Sequence, residues 1–251
     1  MEYNLNNEIA KRTTKTVYED NGKTIKLFVE NYSKSDILNE AVNQARVEET
    51  GLNIAKLLEV TKFDNRWALV SEYIEGKTLE ELMNENPEKI DEYLNIFIDT
   101  QLKIMDKNAP LLGRLKDKMK RKINMTDIDD NSKYELLQRI ETSTVQNKLC
   151  HGDFNPSNII IKEDGTIYVI DWSHVTQGNA LADVAMSYLI FKKDRKEEIA
   201  EKYLDLFCEK TGAVKQNIQR WIPPVAAAHL DKAKGEEKEF LNKCIDIIDY
   251  E

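Results

Sequence analysis

The segment His151-Gly152-Asp153-Phe154-Asn155-Pro156-Ser157-Asn158, followed by Tyr168-Val169-Ile170-Asp171-Trp172, concentrates the residue types that phosphate chemistry needs. Asp164-Gly165 between the two is a preferred two-residue hairpin turn. Such a turn pairs Glu163 with Thr166, Ile161 with Tyr168, and Asn158 with Asp171. Neighbouring strands lie about 5 Å apart, so an amide oxygen and a carboxylate are expected side by side at the open end of the hairpin. Two hard oxygen ligands at that spacing suit magnesium, which takes carboxylates, carbonyls, waters and substrate phosphates. Asp153 lies one short loop upstream of Asn158. A carboxylate beside a metal-bound phosphate is placed to accept the proton of an attacking hydroxyl.

These groups need a scaffold, and the chain is long enough for one. It has 251 residues, a formal net charge of −9, 41% hydrophobic and 32% charged residues. That balance suits a globular chain with a sizeable core. An acidic chain is a poor general binder of nucleic acid, whose phosphates require a basic face. No run approaches the roughly 20 apolar residues that span a bilayer, so no membrane partner is expected. The polar start, Met1-Glu2-Tyr3-Asn4, shows no signal peptide. Three scattered cysteines (Cys150, Cys208, Cys244) without CxxC spacing suit a reduced, cytoplasmic compartment. With only three histidines, a multi-histidine metal site is not expected. The sequence carries no signal for an oligomeric state.

The first 75 residues read as strands around one helix. Lys23 to Val29 alternates, with Ile25, Leu27 and Val29 on one face and Thr24, Lys26 and Phe28 on the other. Asn21-Gly22 is a strong turn signal before it, making Thr16-Val17-Tyr18 its hairpin partner. Ser35 is placed to cap a helix through Leu38, Ala41, Val42 and Ala45, which Gly51 ends. Strands at Lys56 to Lys62 and Arg66 to Tyr73 flank the turn Asp64-Asn65. Beyond Gly76 the periodicity is helical, notably at Ile90, Leu94, Phe97, Ile98, Leu102 and Met105. It is interrupted by the hairpin Asn158 to Asp171. The basic run Lys116 to Lys122 reads as a solvated helix face. The shift in composition at Glu75-Gly76 divides the chain into 1–75 and 76–251.

The spacing H-x-D-x-x-x-x-N with a following aspartate is that of a kinase catalytic loop. His-Gly-Asp with Asn155-Pro156 inside the loop resembles the aminoglycoside phosphotransferase family and its choline-kinase-like relatives. The resemblance runs over nearly the whole chain and is strongest from Leu149 to Asp183. It implies an α+β, protein-kinase-like bilobal fold, with a small antiparallel-sheet N-lobe and a mainly helical C-lobe. It implies a γ-phosphate donor, ATP or GTP, with magnesium as cofactor and a small-molecule hydroxyl as acceptor. In that likeness Asp153 is the catalytic base, and Asn158 and Asp171 hold the metal. Lys26 resembles the lysine on the α and β phosphates, and Glu40 its ion-pair partner. Val70 to Gly76 resembles the hinge strand, with backbone groups of Glu72 and Ile74 on the adenine edge. His151 and Asp183 resemble structural residues of the family. Trp172 reads as a packing residue, and His174 and His229 as non-catalytic.

Two departures stand out. Ala10 to Thr16, where kinases carry a glycine-rich loop, has no glycine. Glycine lets backbone approach phosphates closely, so Thr13, Thr14 and Lys15 are left to supply side-chain donors and charge. Asn155-Pro156-Ser157 replaces the His-Pro-Gly common in relatives. Two other function classes remain. A protein kinase is disfavoured, since no Ala-Pro-Glu follows Asp171 and only about a dozen residues separate it from Asp183. A nucleotide-binding regulatory protein without strong catalysis would explain the missing glycines but not the joint presence of Lys26, Asp153, Asn158 and Asp171. The acidic end of the chain, including Asp231, Glu236, Glu237, Glu239, Asp246, Asp249 and Glu251, would suit a cationic acceptor such as an aminoglycoside or amino alcohol. A solvated acidic helix is the competing reading of these residues.

Overall fold

The computed structural model describes residues 3–194 and 196–245. Asp246, Asp249 and Glu251 of the acidic end lie outside the described residues. The elements run β1 (Glu8–Lys11), β2 (Lys15–Asp20), β3 (Lys23–Phe28), α1 (Lys34–Glu48), β4 (Leu57–Phe63), β5 (Arg66–Glu72), β6 (Lys77–Thr78) and α2 (Leu79–Glu85). Then come α3 (Ile90–Met105), α4 (Leu115–Asn124), α5 (Asp130–Thr142), β7 (Lys148–Cys150), β8 (Ile159–Ile161), β9 (Ile167–Val169) and β10 (Thr176–Gly178). The chain continues through α6 (Ala180–Lys193), α7 (Glu197–Thr211), α8 (Lys215–Gln219), α9 (Ile222–Ala227) and α10 (Gly235–Ile245). Contacts gather these into two compact units. One holds the described residues up to Glu85 together with Pro156–His174, and the other holds Asn86–Asn155 and Val175 onward.

The first unit is built on an antiparallel sheet of order β1-β2-β3-β5-β4. Its tight turns are where the sequence places them. Asn21 (φ 50°) and Gly22 (φ 75°), and again Asp64 (φ 45°) and Asn65 (φ 64°), adopt the left-handed backbone that a two-residue hairpin turn requires. The first turn pairs Val17 with Lys26 and Lys15 with Phe28. Ile25, Leu27, Ala68 and Val70 bury on one sheet face, with Tyr3, Leu5, Tyr18 and Phe63 packed over them. Phe28 and Leu69 bury on the other, against Ile37 and Ala41 of α1. Both faces are thus covered, and the alternation in β3 separates two cores rather than core from solvent. Val29, expected to continue the first face, lies beyond the strand and is exposed. The cap of α1 is Ser33, whose Oγ accepts from the Asp36 N–H at 3.4 Å. Ser35 instead lies in the first turn with its Oγ 2.8 Å from that of Ser33.

The hairpin β8–β9 joins this unit through pairing. β8 pairs with β6, Ile54 bridges Val169, and the Val169 N–H donates to the Asn53 carbonyl at 3.0 Å. Gly76 permits the β6 contact, because a Cβ there would stand 2.5 Å from the Ile161 carbonyl oxygen. The hairpin register differs by one from a two-residue turn, pairing Ile159 with Val169, Ile160 with Tyr168 and Ile161 with Ile167. Lys162 N–H bonds the Thr166 carbonyl and Gly165 N–H the Lys162 carbonyl, with Gly165 at φ 82°. This is a three-residue loop closed by a left-handed glycine, the next most common hairpin connection.

The second unit is helical, with one small sheet pairing β7 and β10. Its core includes Leu94, Phe97, Ile98, Phe154, Phe191 and Tyr203. Phe97 stacks on Phe154 at 4.5 Å between ring centres and meets Phe191 and Tyr203 edge-on at 5.4 Å. No helix among the described residues is long and apolar enough to cross a membrane.

Candidate active site

In the first unit, the β2–β3 register puts Lys15, Val17, Lys26 and Phe28 on the sheet face that α1 covers. Glu40 is buried on α1. Lys26 Nζ lies 2.6 Å from Glu40 Oε1 and 3.1 Å from Asp171 Oδ1. Lys15 Nζ reaches the other oxygen of that carboxylate, Asp171 Oδ2, at 3.2 Å. Burial by itself would push the Lys26 ammonium down, but the Asp171 and Glu40 carboxylates outweigh it and hold it above the ordinary lysine range. Burial would raise Asp171, yet the Lys26 and Lys15 ammoniums keep it well below the ordinary carboxylate range. Lys15 has the opposite balance: burial, then the Lys26 charge, lower it against the pull of Asp171 and Glu40.

Asp171 adopts a left-handed backbone, φ 61°, which aspartate tolerates better than most residues. The Ile170 N–H donates to the Asn158 carbonyl at 2.9 Å. Asn158 is therefore opposite Ile170, one position from the expected pairing with Asp171. Its residue is buried at the end of a 3₁₀ turn, Pro156–Asn158. Trp172 is packed, with its indole N–H donating to the Val169 carbonyl at 2.9 Å. On the hinge strand, the N–H groups of Glu72 and Tyr73 are committed to the Lys56 and Gly22 carbonyls, both at 2.9 Å. Ile74, just past the strand, has no such commitment among the described residues.

Asp153 belongs to the second unit, in a loop pinned from several sides. Asp183 accepts the backbone N–H groups of His151 at 2.9 Å and Gly152 at 2.7 Å. His151 Nδ1 accepts the Asp153 N–H at 3.3 Å. Asn155 Nδ2 donates to the Asp153 carbonyl at 3.0 Å and to Oδ1 at 3.3 Å. Ser187, one helical turn after Asp183 on α6, donates to the Phe154 carbonyl at 2.7 Å. A buried chain supports it: Tyr203 donates to Gln101 at 2.6 Å, and Gln101 donates to Ser187 at 3.2 Å. The sequence reading missed Ser187, Gln101 and Tyr203. The available signal was the i, i+4 pair Asp183/Ser187 on an otherwise apolar helix.

Burial pushes the Asp183 carboxyl up to about 6, against the two N–H donors that favour its charged form. Its folded-state pKa is therefore above the unfolded value of about 4. The folded protein binds the extra proton between those values, so Asp183 lowers stability as pH rises from 4 to 6. Denaturant unfolding should show the advantage of wild type over Asp183→Asn shrinking by roughly 2–3 kcal/mol between pH 4 and pH 7. A pH-independent difference would place the titration elsewhere.

The basic run is not the solvated face expected. α4 buries Met119 and Ile123. Lys116 Nζ donates to the Glu141 and Ser143 carbonyls at 3.1 and 3.0 Å. Lys118 is lowered to about 8 by burial and by Lys122 and Arg121. Lysine stems can lie along apolar surface while their ammoniums seek polar partners, as the Lys116 ammonium does here. His229 is half-buried with Nδ1 2.8 Å from the Val225 carbonyl, and desolvation lowers it to about 4. It is a neutral packing residue. Glu236, Glu237 and Glu239 are exposed on α10.

The pattern of the phosphotransferase enzyme family matches residues 11–216. The chain belongs to that family. The phosphotransferase also resembles solved structures over nearly its full length. A thermostable mutant of the aminoglycoside phosphotransferase APH(4)-Ia superposes with a TM-score of 0.72 at 16% identity, covering 96% of this chain and 92% of that one. Choline kinase LicA from Streptococcus pneumoniae gives 0.62 at 16% identity, covering 95% and 91%. These likenesses show a protein-kinase-like fold. A shorter match, 49% identical over 49 residues, is to the serine/threonine-protein kinase rio2 of Schizosaccharomyces pombe. It spans 19% of this chain and only 14% of that protein.

Proposed function

We propose that this phosphotransferase moves the γ-phosphate of ATP to a hydroxyl of a small molecule, with Asp153 as base. The observation that carries the reading is Lys26, held between Glu40 at 2.6 Å and Asp171 at 3.1 Å. A half-buried lysine fixed by one carboxylate and aimed at a second is a ready partner for phosphates and their metal. ATP is favoured because a variant of the related APH(4)-Ia was solved with ADP and hygromycin B. The Ile74 N–H is the hinge donor still available to an adenine edge. Glu72 can offer its carbonyl, its N–H being used in the sheet.

Asn158 and Asp171 supply hard oxygen donors from neighbouring rungs of one hairpin, which fits magnesium. Among the described residues no group of three or more His, Cys, Asp or Glu side chains could hold a metal ion alone. Magnesium commonly completes its shell with substrate phosphates and waters, so here it would arrive with the nucleotide and neutralise phosphate charge. Lys26 orients the phosphates. Asp153, its loop fixed through Asp183, His151 and Ser187, aligns the acceptor hydroxyl and takes its proton.

The acceptor is proposed to be an aminoglycoside, amino alcohol or similar hydroxyl compound, at a site in the cytoplasm. APH(4)-Ia takes hygromycin B in the complex just named. Turnover of magnesium-ATP against a panel of aminoglycosides, amino alcohols and sugars tests the reading. Acceptor-stimulated ADP release is the expected result. No nucleotide binding would overturn it.

A further inference from the structure

The chain has no glycine between Ala10 and Thr16, yet it places a second ammonium at the carboxylate proposed to meet the metal. The turn leading into β2 is closed by the Arg12 N–H on the Lys15 carbonyl at 2.8 Å, with the Val29 N–H on the Thr14 carbonyl at 3.0 Å. Thr13 and Thr14 are exposed in this turn, while Lys15 points inward on the face it shares with Lys26. Because Lys15 pairs with Phe28, and Val17 with Lys26, the two lysines are diagonal neighbours. Such positions are about 7–8 Å apart, and long side chains close that gap on a common target. Both ammoniums do so, one on each oxygen of Asp171.

A divalent metal on Asp171 would compete with both ammoniums for the four lone-pair sites of the carboxylate. Of the two lysines, Lys26 is further anchored by Glu40 at 2.6 Å, which leaves Lys15 the easier to displace. Lys15 has no second carboxylate within ion-pair reach among the described residues. From this we infer that Lys15 is a mobile phosphate-binding lysine. Its ammonium pairs with Asp171 at 3.2 Å and would transfer to the nucleotide phosphates when a metal takes that carboxylate. It thereby supplies with a side chain what a glycine-rich loop supplies with backbone N–H groups. The inference rests on the nucleotide-binding reading above.

The test is calorimetric titration of the intact protein with AMP-PNP and with adenosine, at saturating magnesium. Lys15→Met should weaken AMP-PNP binding about tenfold or more, the worth of one charge-assisted contact, and leave adenosine affinity unchanged. Lys15→Arg should keep most of the AMP-PNP affinity. Lys15→Gln, similar in length and still a donor to Asp171, serves if the methionine variant does not fold. Equal or tighter AMP-PNP binding by the uncharged variants would show Lys15 only competing with the metal, and would overturn the inference. So would equal losses for AMP-PNP and adenosine, which mark a structural role. Wild type that binds AMP-PNP poorly, or not at all, would overturn the functional reading itself and this inference with it.

Discussion

Asp153→Asn is expected to lower kcat by roughly 10²–10⁴-fold, the range for loss of a general base. Nucleotide affinity should change little. The replacement is nearly isosteric, and backbone hydrogen bonds hold much of the loop's shape. Its backbone is held by Asp183 at His151 and Gly152, by Ser187 at Phe154, and by Asn155 at the Asp153 carbonyl. An asparagine oxygen still accepts from Asn155 Nδ2. What disappears is the capacity to take a proton. A selective fall in kcat therefore reads out the base role, measured with saturating nucleotide and acceptor. Equal losses in kcat and nucleotide affinity would indicate a distorted loop, and an unchanged kcat would assign the base elsewhere.

Much of this arrangement is visible in the sequence because short-range rules govern it. The Asn21-Gly22 turn alone implies that Lys15 and Lys26 share a face, since a two-residue turn sets every pair in its hairpin. The Lys26–Glu40 pair is legible only through the family resemblance, because the packing of α1 on that face is not a short-range property. The hairpin at Asp164-Gly165 is less fully determined by local rules. Asp-Gly serves both two- and three-residue loops, and the choice depends on whether Gly165 alone goes left-handed. The resulting one-residue slip would turn the Asp171 side chain to the other face of a regular strand. The left-handed backbone at Asp171 breaks the regularity instead, and no local signal announces it. Attachment of the same hairpin to β6 and Ile54 is non-local and leaves no periodic mark. The chain Tyr203–Gln101–Ser187 escapes notice for the same reason: its members lie far apart along the chain. In α4, composition suggests a wet face where Met119 and Ile123 are buried and Lys116 is tied to the Glu141 and Ser143 carbonyls.

Asp171→Asn carries the other large effect. Asparagine tolerates the left-handed backbone nearly as well as aspartate, so the change tests charge rather than conformation. Magnesium-dependent nucleotide binding should fall by at least about tenfold, and turnover should fall further. Stability should also change, with a definite pH dependence. The folded-state pKa of Asp171 lies below its unfolded value, with burial opposing the shift and Lys26 and Lys15 producing it. Its stabilising contribution is therefore complete above the unfolded pKa of about 4 and is lost as pH falls towards the folded value. Breaking a buried ion pair costs about 3–5 kcal/mol, but this side chain is 28% exposed and water screens part of the attraction. A difference of about 1–2 kcal/mol at pH 7, diminishing below pH 4, is the expected outcome of denaturant unfolding. The two readouts separate the two roles. Lost stability with intact magnesium dependence would make Asp171 a partner of the lysines alone. Lost magnesium dependence, whatever the stability, would make its carboxylate the metal's ligand.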